Sequence, residues 1–395
     1  MNAKPGSRAV VVGGGIGGLA AAVGLRRAGW DVLVLERSPE LRELGLGVSL
    51  MSNATRCLDE LGVGTRIRAM AATMAPGGEG VRTPRGRRLT PPADPDFVRA
   101  NGLRASIVLR PQLLRVLAGA LAPGAIRTGA EVVDVVTEGG RALVKYLRTA
   151  GAEEVPADLV VAADGVNSTV RRLLWPTAPA PVYSGHSVWR GITTGTFAEP
   201  GGNTWGRGRQ FGRMPLADGR VYWYAVANTP CGAHEADEHA AVVRRFGSWH
   251  DPIPALLAST EAHTVLHHDV HEFPSPLRTF VRGNVVLLGD AAHAMTSDMG
   301  QGACQALEDA VVLSAMVAAE PELGAALAAY DRQRLPRTSM IIEASRNMGQ
   351  LTLLERRSAV LARNLSVRRI LPSEAQRRLA EVGGWIPPRL DPVVS

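Results

Sequence analysis

The sequence predicts a mixed α/β fold: a Rossmann-like domain, an inserted β-sheet domain and a helical C-terminal segment. Three observations predict it. Ala9–Arg37 reads as strand, glycine turn, helix and strand (AVVVGGGIGGLAAAVGLRRAGWDVLVLER). From about Tyr183 to Asp269 the chain becomes β-rich and holds most of the tryptophan and tyrosine. At Asn284 it returns to buried-strand character with NVVLLGDAAHAM.

Within the first stretch, Ala9–Val12 is an apolar run suited to a buried strand, and Leu19–Ala28 is an alanine-rich helix stopped by Gly29. Between them Gly13, Gly15 and Gly18 spell G-x-G-x-x-G, whose bare backbone lets a pyrophosphate approach the helix N-terminus. Val32–Leu35 is the next strand. Glu36 at its end is placed to accept hydrogen bonds from an adenosine ribose, with Arg37 beside it. FAD and NAD both satisfy this pattern.

Composition narrows the class. A chain of 395 residues buries a large core, enough for two domains. The net charge of +7 rests on 44 basic residues, of which only Lys4 and Lys145 are lysines. They are scattered, whereas a nucleic-acid surface needs a basic patch. Cys57, Cys231 and Cys304 lie far apart without C-x-x-C, which argues against a disulfide framework and fits a reducing, cytoplasmic setting. The first strand follows the N-terminus too closely for a signal peptide. The apolar stretch near Ala310–Ala329 is broken by Glu320, Pro321 and Glu322, so no membrane span is expected.

In chain order, Gly45 and Gly47 allow close backbone approach, and Asn53 is placed to cap a helix over Ala54–Leu61. Residues 71–100, rich in Pro, Gly and Arg, read as a hairpin and loop outside the first domain. Arg110 opens a helix with Pro111 in its first turn. Glu131–Val136 and Arg141–Leu147 form a hairpin, and Asp158–Ala162 is a strand leading into Asp164-Gly165. Ala217–Arg220 is a turn between two strands of the second sheet. Strand Val285–Leu288 feeds Gly289-Asp290, and Gly300-Gln301-Gly302 starts a long helix. Residues 323–384 are helical, interrupted by Pro336, and the segment from Trp385 is an extended tail. The expected division is 1–70, 101–180 and 275–322 for the dinucleotide domain, 71–100 and 181–274 for the substrate sheet, and 323–395 for the helical segment.

The fingerprint at Gly13–Gly18, the D-G-x-x-S-x-x-R run at Asp164–Arg171 and GDAAH…GQG…ALEDA at Gly289–Ala310 together resemble the class A flavoprotein monooxygenases. These are single-component aromatic hydroxylases with the p-hydroxybenzoate hydroxylase fold. The string WGRG…FG further resembles the salicylate- and urate-hydroxylase branch, which includes some epoxidases. The resemblance implies FAD as cofactor, NADH or NADPH as transient reductant and O₂ as co-substrate. One oxygen atom then passes through a flavin C(4a)-hydroperoxide to an aromatic or other electron-rich small molecule, in secondary metabolism or aromatic catabolism. It implies Asp290 on the ribityl hydroxyls and Arg110 on the ribityl–phosphate region. Gly13, Gly15 and Gly18 fall to the pyrophosphate, Glu36 to the ribose, and Asp164 and Gly165 to the dual FAD/NAD(P)H motif. At Gly300, Gln301 and Gly302 a helix start presents free N–H groups and partial positive charge, which stabilise a reduced flavin if aimed at its pyrimidine edge. Family members usually carry proline where this chain has Ser297, beside the oxygen-reacting carbon. Ser297 is then either a tolerated variant or a mark of the alternative function, an FAD-dependent reductase or dehydrogenase without oxygen transfer.

A hydroxylase needs a dry pocket with a few orienting polar groups. Strand alternation sets Tyr222 and Tyr224 on one face and Trp223 on the other. Arg190, Arg213, Trp223 and Tyr224 are the substrate-pocket candidates; packing of the second sheet is the competing role for each. Alternation also puts His267, Asp269 and His271 on one side of a strand, a possible ligand spacing, but a solvated or interdomain strand is the favoured reading and no metal is expected. His293 belongs to GDAAH and supports the loop. Gly206-Arg207-Gly208 has no helix after it, so NAD(P)H is expected to bind without its own domain. The partners expected are a small-molecule substrate, no nucleic acid and no membrane, in a monomer or homodimer.

Overall fold

A computed structural model describes residues 7–41, 46–74, 80–198, 200–370 and 372–390. Gly45 and the end of the tail lie outside the described residues. The first sheet has six strands in the order Val281–Arg282, Val285–Leu287, Leu159–Ala162, Arg8–Val12, Asp31–Leu35 and Ile126–Arg127. All pairs are parallel except the first. Its central strands are apolar and buried, as a parallel sheet covered on both faces requires. Over it lies helix Ile16–Arg27, packed in turn on helix Gly302–Ala319. The latter is long and apolar enough to cross a membrane, but 72% of it is buried inside the fold against helices Ile16–Arg27, Ser52–Glu60 and Leu323–Thr352. It is the core helix of this domain. The expected hairpin forms, and strand Gly151–Ala157 extends it to an antiparallel sheet of three.

The second sheet runs Leu266–Glu272, Val182–Ile192, Val221–Asn228, Arg209–Pro215, Gly202–Trp205 and Val81–Arg82. Residues 217–220 turn between two of its strands as expected, and Gly206–Gly208 joins two others as a hairpin turn, with Gly206 N donating to Arg209 O. The β-rich reading missed two helices here, Glu238–Phe246 and Ile253–Ala258. The first is announced by Asp237, whose carboxylate accepts from Ala240 N at 2.9 Å. Both helices bury one face of the sheet, where Val242, Phe246, Ile253 and Leu256 pack with Trp189, Phe211 and Trp223.

Three local expectations change. The 71–100 excursion divides between two sheets: Ala72–Met74 pairs with Ala105–Leu109 beside Gly47–Met51, whereas Val81–Arg82 joins the second sheet. Asn53 is no cap. The helix starts at Ser52, and the buried Asn53 amide donates to Gln301 Oε1 at 3.0 Å and Glu308 Oε1 at 2.6 Å. Nor does Pro336 interrupt its helix, which continues from Leu323 to Thr352. Proline removes one hydrogen bond, but Arg334 and Arg337 on either side of it are anchored in a buried ion network.

Candidate functional site

That network backs the site. Asp309 accepts from Gly289 N at 2.9 Å and His293 Nε2 at 2.6 Å through Oδ2, and from Arg334 Nε at 2.6 Å through Oδ1. Glu308 accepts from Arg334 Nη1 at 2.6 Å and Arg337 Nη2 at 3.0 Å. Burial pushes the Asp309 carboxyl up, but the His293 and Arg334 charges overcome it and hold it at about 2. The stabilisation is therefore full above the ordinary carboxylate range and lost as pH falls through about 2. ALEDA thus grips the Gly289–His293 turn from behind, and His293 supports the loop as expected.

The second motif is built likewise. Asp164 Oδ2 accepts from Thr169 N at 2.7 Å, and Ser168 caps helix Thr169–Leu174 by accepting from Arg171 N at 2.9 Å. Arg171 then donates to Ala291 O at 3.0 Å, tying this motif to the third. The other Asp164 oxygen, Oδ1, is buried with no hydrogen-bond partner among the described residues. It faces the need for a donor from a bound group.

Two adjoining cavities, of about 760 and 660 Å³, run past these motifs and share Gly15, Gly47, Arg110, Gly165, Arg190 and His268. The first is lined by Gly13, Gly15, Glu36, Arg37, Arg110, Asp164 and Gly165. Gly13 adopts φ +106°, and a side chain there would strike the Ala163 carbonyl. Around Gly15, at the cap of helix Ile16–Arg27, a side chain would meet nothing within 4 Å: the approach to the helix start is open. Glu36 is fixed by Gly14 N at 2.6 Å and Ser38 N at 2.8 Å, which leaves its carboxylate on the cavity wall. An extended dinucleotide fits this cradle.

The second cavity has the Asp290, Ser297, Gly300 and Gly302 loops on one wall and Arg190, Tyr222 and Tyr224 of the second sheet on another. Tyr224 donates to Asn203 Oδ1 at 2.6 Å. Burial raises both tyrosine pKa values and so favours the neutral phenols. Burial lowers the His268 pKa, with the Arg190 and Arg110 charges adding to it, so the junction of the cavities is electropositive. Leu379 of the C-terminal helix also borders this cavity.

Three residues expected at the site stand elsewhere. Gly18 packs against the Gly13 carbonyl and holds helix to strand. The Gln301 side chain is buried in the core, donating to Met51 Sδ and accepting from Gln305 Nε2 at 3.0 Å. Trp223 is buried under the two missed helices, donating to Thr260 Oγ1 at 2.9 Å. Arg213 does border the second cavity as expected, although its pairing opposite Trp223 puts it on the same sheet face as that residue. There, after burial itself, its charge helps lower the His250 pKa.

The sequence reading missed Asn203, His186 and Asp298. Asp298 Oδ2 and His186 Nε2 are buried and 3.8 Å apart, with no hydrogen-bond partner for either atom among the described residues. Burial favours the neutral form of both, raising the acid and lowering the base. Asp298 follows Ser297 directly, the one signal that pointed at it.

A family profile described as an FAD binding domain matches residues 7–345. Aurachin C monooxygenase/isomerase of Stigmatella aurantiaca is 37% identical over 352 residues, 88% of this chain and 90% of that protein. The chain belongs to the class A FAD-dependent monooxygenases. The branch is the salicylate/urate-hydroxylase type. The 2-heptyl-3-hydroxy-4(1H)-quinolone synthase of Pseudomonas aeruginosa is 32% identical, covering 94% of this chain and 96% of that protein. The solved structure of Klebsiella pneumoniae HpxO with FAD and uric acid superposes with a TM-score of 0.86 at 28% identity, over 95% of this chain and 96% of that one. This chain is thus an FAD-dependent monooxygenase with a small molecule as its substrate.

Proposed function

We propose that this monooxygenase oxygenates a fused nitrogen-heteroaromatic ring held between the cofactor loops and the open face of the second sheet. The observation that carries it is the second cavity itself. It is lined both by residues of the Asp290–Gly302 loops and by Arg190, Tyr222 and Tyr224. Bound FAD supplies redox chemistry with NAD(P)H and the activation of O₂. The chain's own residues bind, orient and exclude water.

In this reading Gly13 and Gly15 take the pyrophosphate at the start of helix Ile16–Arg27, and Glu36 takes the adenosine ribose with Arg37 at the rim. Arg110 and Asp164 hold the central phosphates and hydroxyls, with Gly165 leaving the space open. Asp290 takes the ribityl chain. The backbone at Gly300 and Gly302 offers the helix N-terminus to the flavin ring. Ser297, at the usual proline position, brings a hydroxyl to the same wall.

For the substrate, Arg190 offers a cation to a ring oxygen, and the neutral Tyr222 and Tyr224 offer orientation without competing charge. The names of the relatives support a ring of this kind: urate in one case, a hydroxyquinolone in another. The test is coupled NAD(P)H oxidation and product mass with a 2-alkyl-4-quinolone, urate and salicylate. A bicyclic nitrogen ring gaining one oxygen atom is the expected result. Oxygenation of salicylate alone, or NAD(P)H consumption unchanged by all three, overturns the proposal.

A further inference from the structure

Away from the cavities, on the outer edge of the second sheet, three ligand-type atoms converge. His267 Nδ1 lies 2.9 Å from Glu238 Oε1 and 3.1 Å from His234 Nδ1, and His234 Nδ1 lies 3.3 Å from the same Glu238 oxygen. They come from three places: a loop, the first turn of helix Glu238–Phe246, and edge strand Leu266–Glu272. The sequence grouped His267 with Asp269 and His271. In the fold Asp269 turns instead to Ser187 Oγ and Gly232 N.

Protons satisfy this triangle badly. If both imidazoles donate to Glu238, two N–H groups face each other at 3.1 Å. If His234 instead accepts from His267, its lone pair faces a carboxylate oxygen at 3.3 Å. One cation serves all three edges. Ligands about 2.1 Å from a transition metal stand about 3.0 Å apart at octahedral angles and about 3.4 Å apart at tetrahedral ones, the range seen here. The ring centroids of His234 and His267 are 4.6 Å apart. That is about the separation of two imidazoles sharing one ion at a near-right angle.

The Glu238 carboxylate and the His267 ring plane are already held. Trp189 Nε1 donates to Glu238 Oε2 at 2.7 Å and Glu235 N donates to Oε1 at 3.0 Å, which fixes the carboxylate. The His267 ring stacks on Trp189 with centroids 4.3 Å apart and planes 5° off parallel. The His267 side chain is 2% exposed and that of His234 59%, so the remaining coordination positions open to water on the His234 side.

We propose that His234, Glu238 and His267 bind one divalent first-row transition ion, zinc or a zinc-like metal, that clamps the 231–238 loop to the edge of the second sheet. Two imidazoles and a carboxylate are a ligand set such ions take. The ion sits behind Trp189, on the opposite face of the strand from Arg190, so its role is structural and lies outside the flavin chemistry.

The test uses the FAD-loaded, chelator-stripped enzyme titrated with Zn²⁺ and with Co²⁺. Wild type is expected to take one saturating equivalent, to show Co²⁺ ligand-field bands and to melt higher with Zn²⁺. His234→Ala removes an exposed ligand and is expected to fold, to bind at least about tenfold more weakly and to lose the melting shift. Glu238→Gln, which keeps an acceptor for Trp189, is expected to do the same. His263→Ala, at an exposed histidine outside the cluster, leaves binding intact. No stoichiometric binding to wild type, or equal binding by His234→Ala, overturns the proposal.

Discussion

The two faces of the second sheet carry the same kinds of residue and do opposite work. On one, Arg190, Tyr222 and Tyr224 line a cavity. On the other, Trp223 and Phe211 are sealed beneath helices Glu238–Phe246 and Ile253–Ala258, with Arg213 paired opposite Trp223. One residue of alternation separates Trp223 from each tyrosine beside it. Residue type therefore does not mark a binding group in this sheet. What marks it is the face that the helices leave uncovered.

Substitutions on the two faces should separate stability from substrate affinity. The largest expected effect is Trp223→Ala, which leaves a cavity in the covered core and removes the bond to Thr260 Oγ1. Urea unfolding should show a loss of about 3–5 kcal/mol, with KM for the substrate unchanged in the folded enzyme. A raised KM at full stability would reverse the assignment of faces.

The two arginines give the sharpest contrast. Arg190→Ala should raise KM about tenfold or more, equivalent to at least about 1.4 kcal/mol, with an unchanged melting temperature. Arg213→Ala, on the face of Trp223, should cost about 1–3 kcal/mol of stability and raise KM by less than Arg190→Ala does. Steady-state kinetics and calorimetry on both proteins decide it, and identical behaviour would erase the distinction.

Tyr224→Phe is milder. It removes the bond to Asn203, worth about 1 kcal/mol, and should lower kcat/KM through substrate orientation with flavin content unchanged. The smallest effect is in pH. Burial raises the Tyr222 and Tyr224 pKa values above 10.0 in the fold. Stability is thus full below the unfolded value and declines as pH rises past it, because only the unfolded chain ionises freely. Tyr146 and Tyr330 are raised too and share this alkaline limb. Denaturation midpoints between about pH 9 and 11 should show the limb shallower in Tyr224→Phe, and equal slopes would count against its burial.

The parts of the site that were legible in the chain are those set by short-range backbone demands. Gly13 must take a positive φ, Gly15 must leave a helix start bare, Glu36 must end a strand, and Gly289-Asp290 must follow one. Each need is met within a few residues, so the spacing is visible in one dimension and the flavoprotein resemblance follows from it. Alternation on Val221–Asn228 was equally legible.

Long-range pairing decided the rest. The two unforeseen helices chose which face of the second sheet became core, and so removed Trp223 from the substrate wall. Arg334, reaching across from another helix, turned Glu308 and Asp309 into a buried network that also claimed the Gln301 and Asn53 side chains. His234 and Glu238 met His267 only because the 231–238 loop folds back over the sheet edge. Burial and charge pairing depend on what arrives from distant parts of the chain. Local spacing carries the turns and strand ends, and packing alone decides which side chains face a ligand.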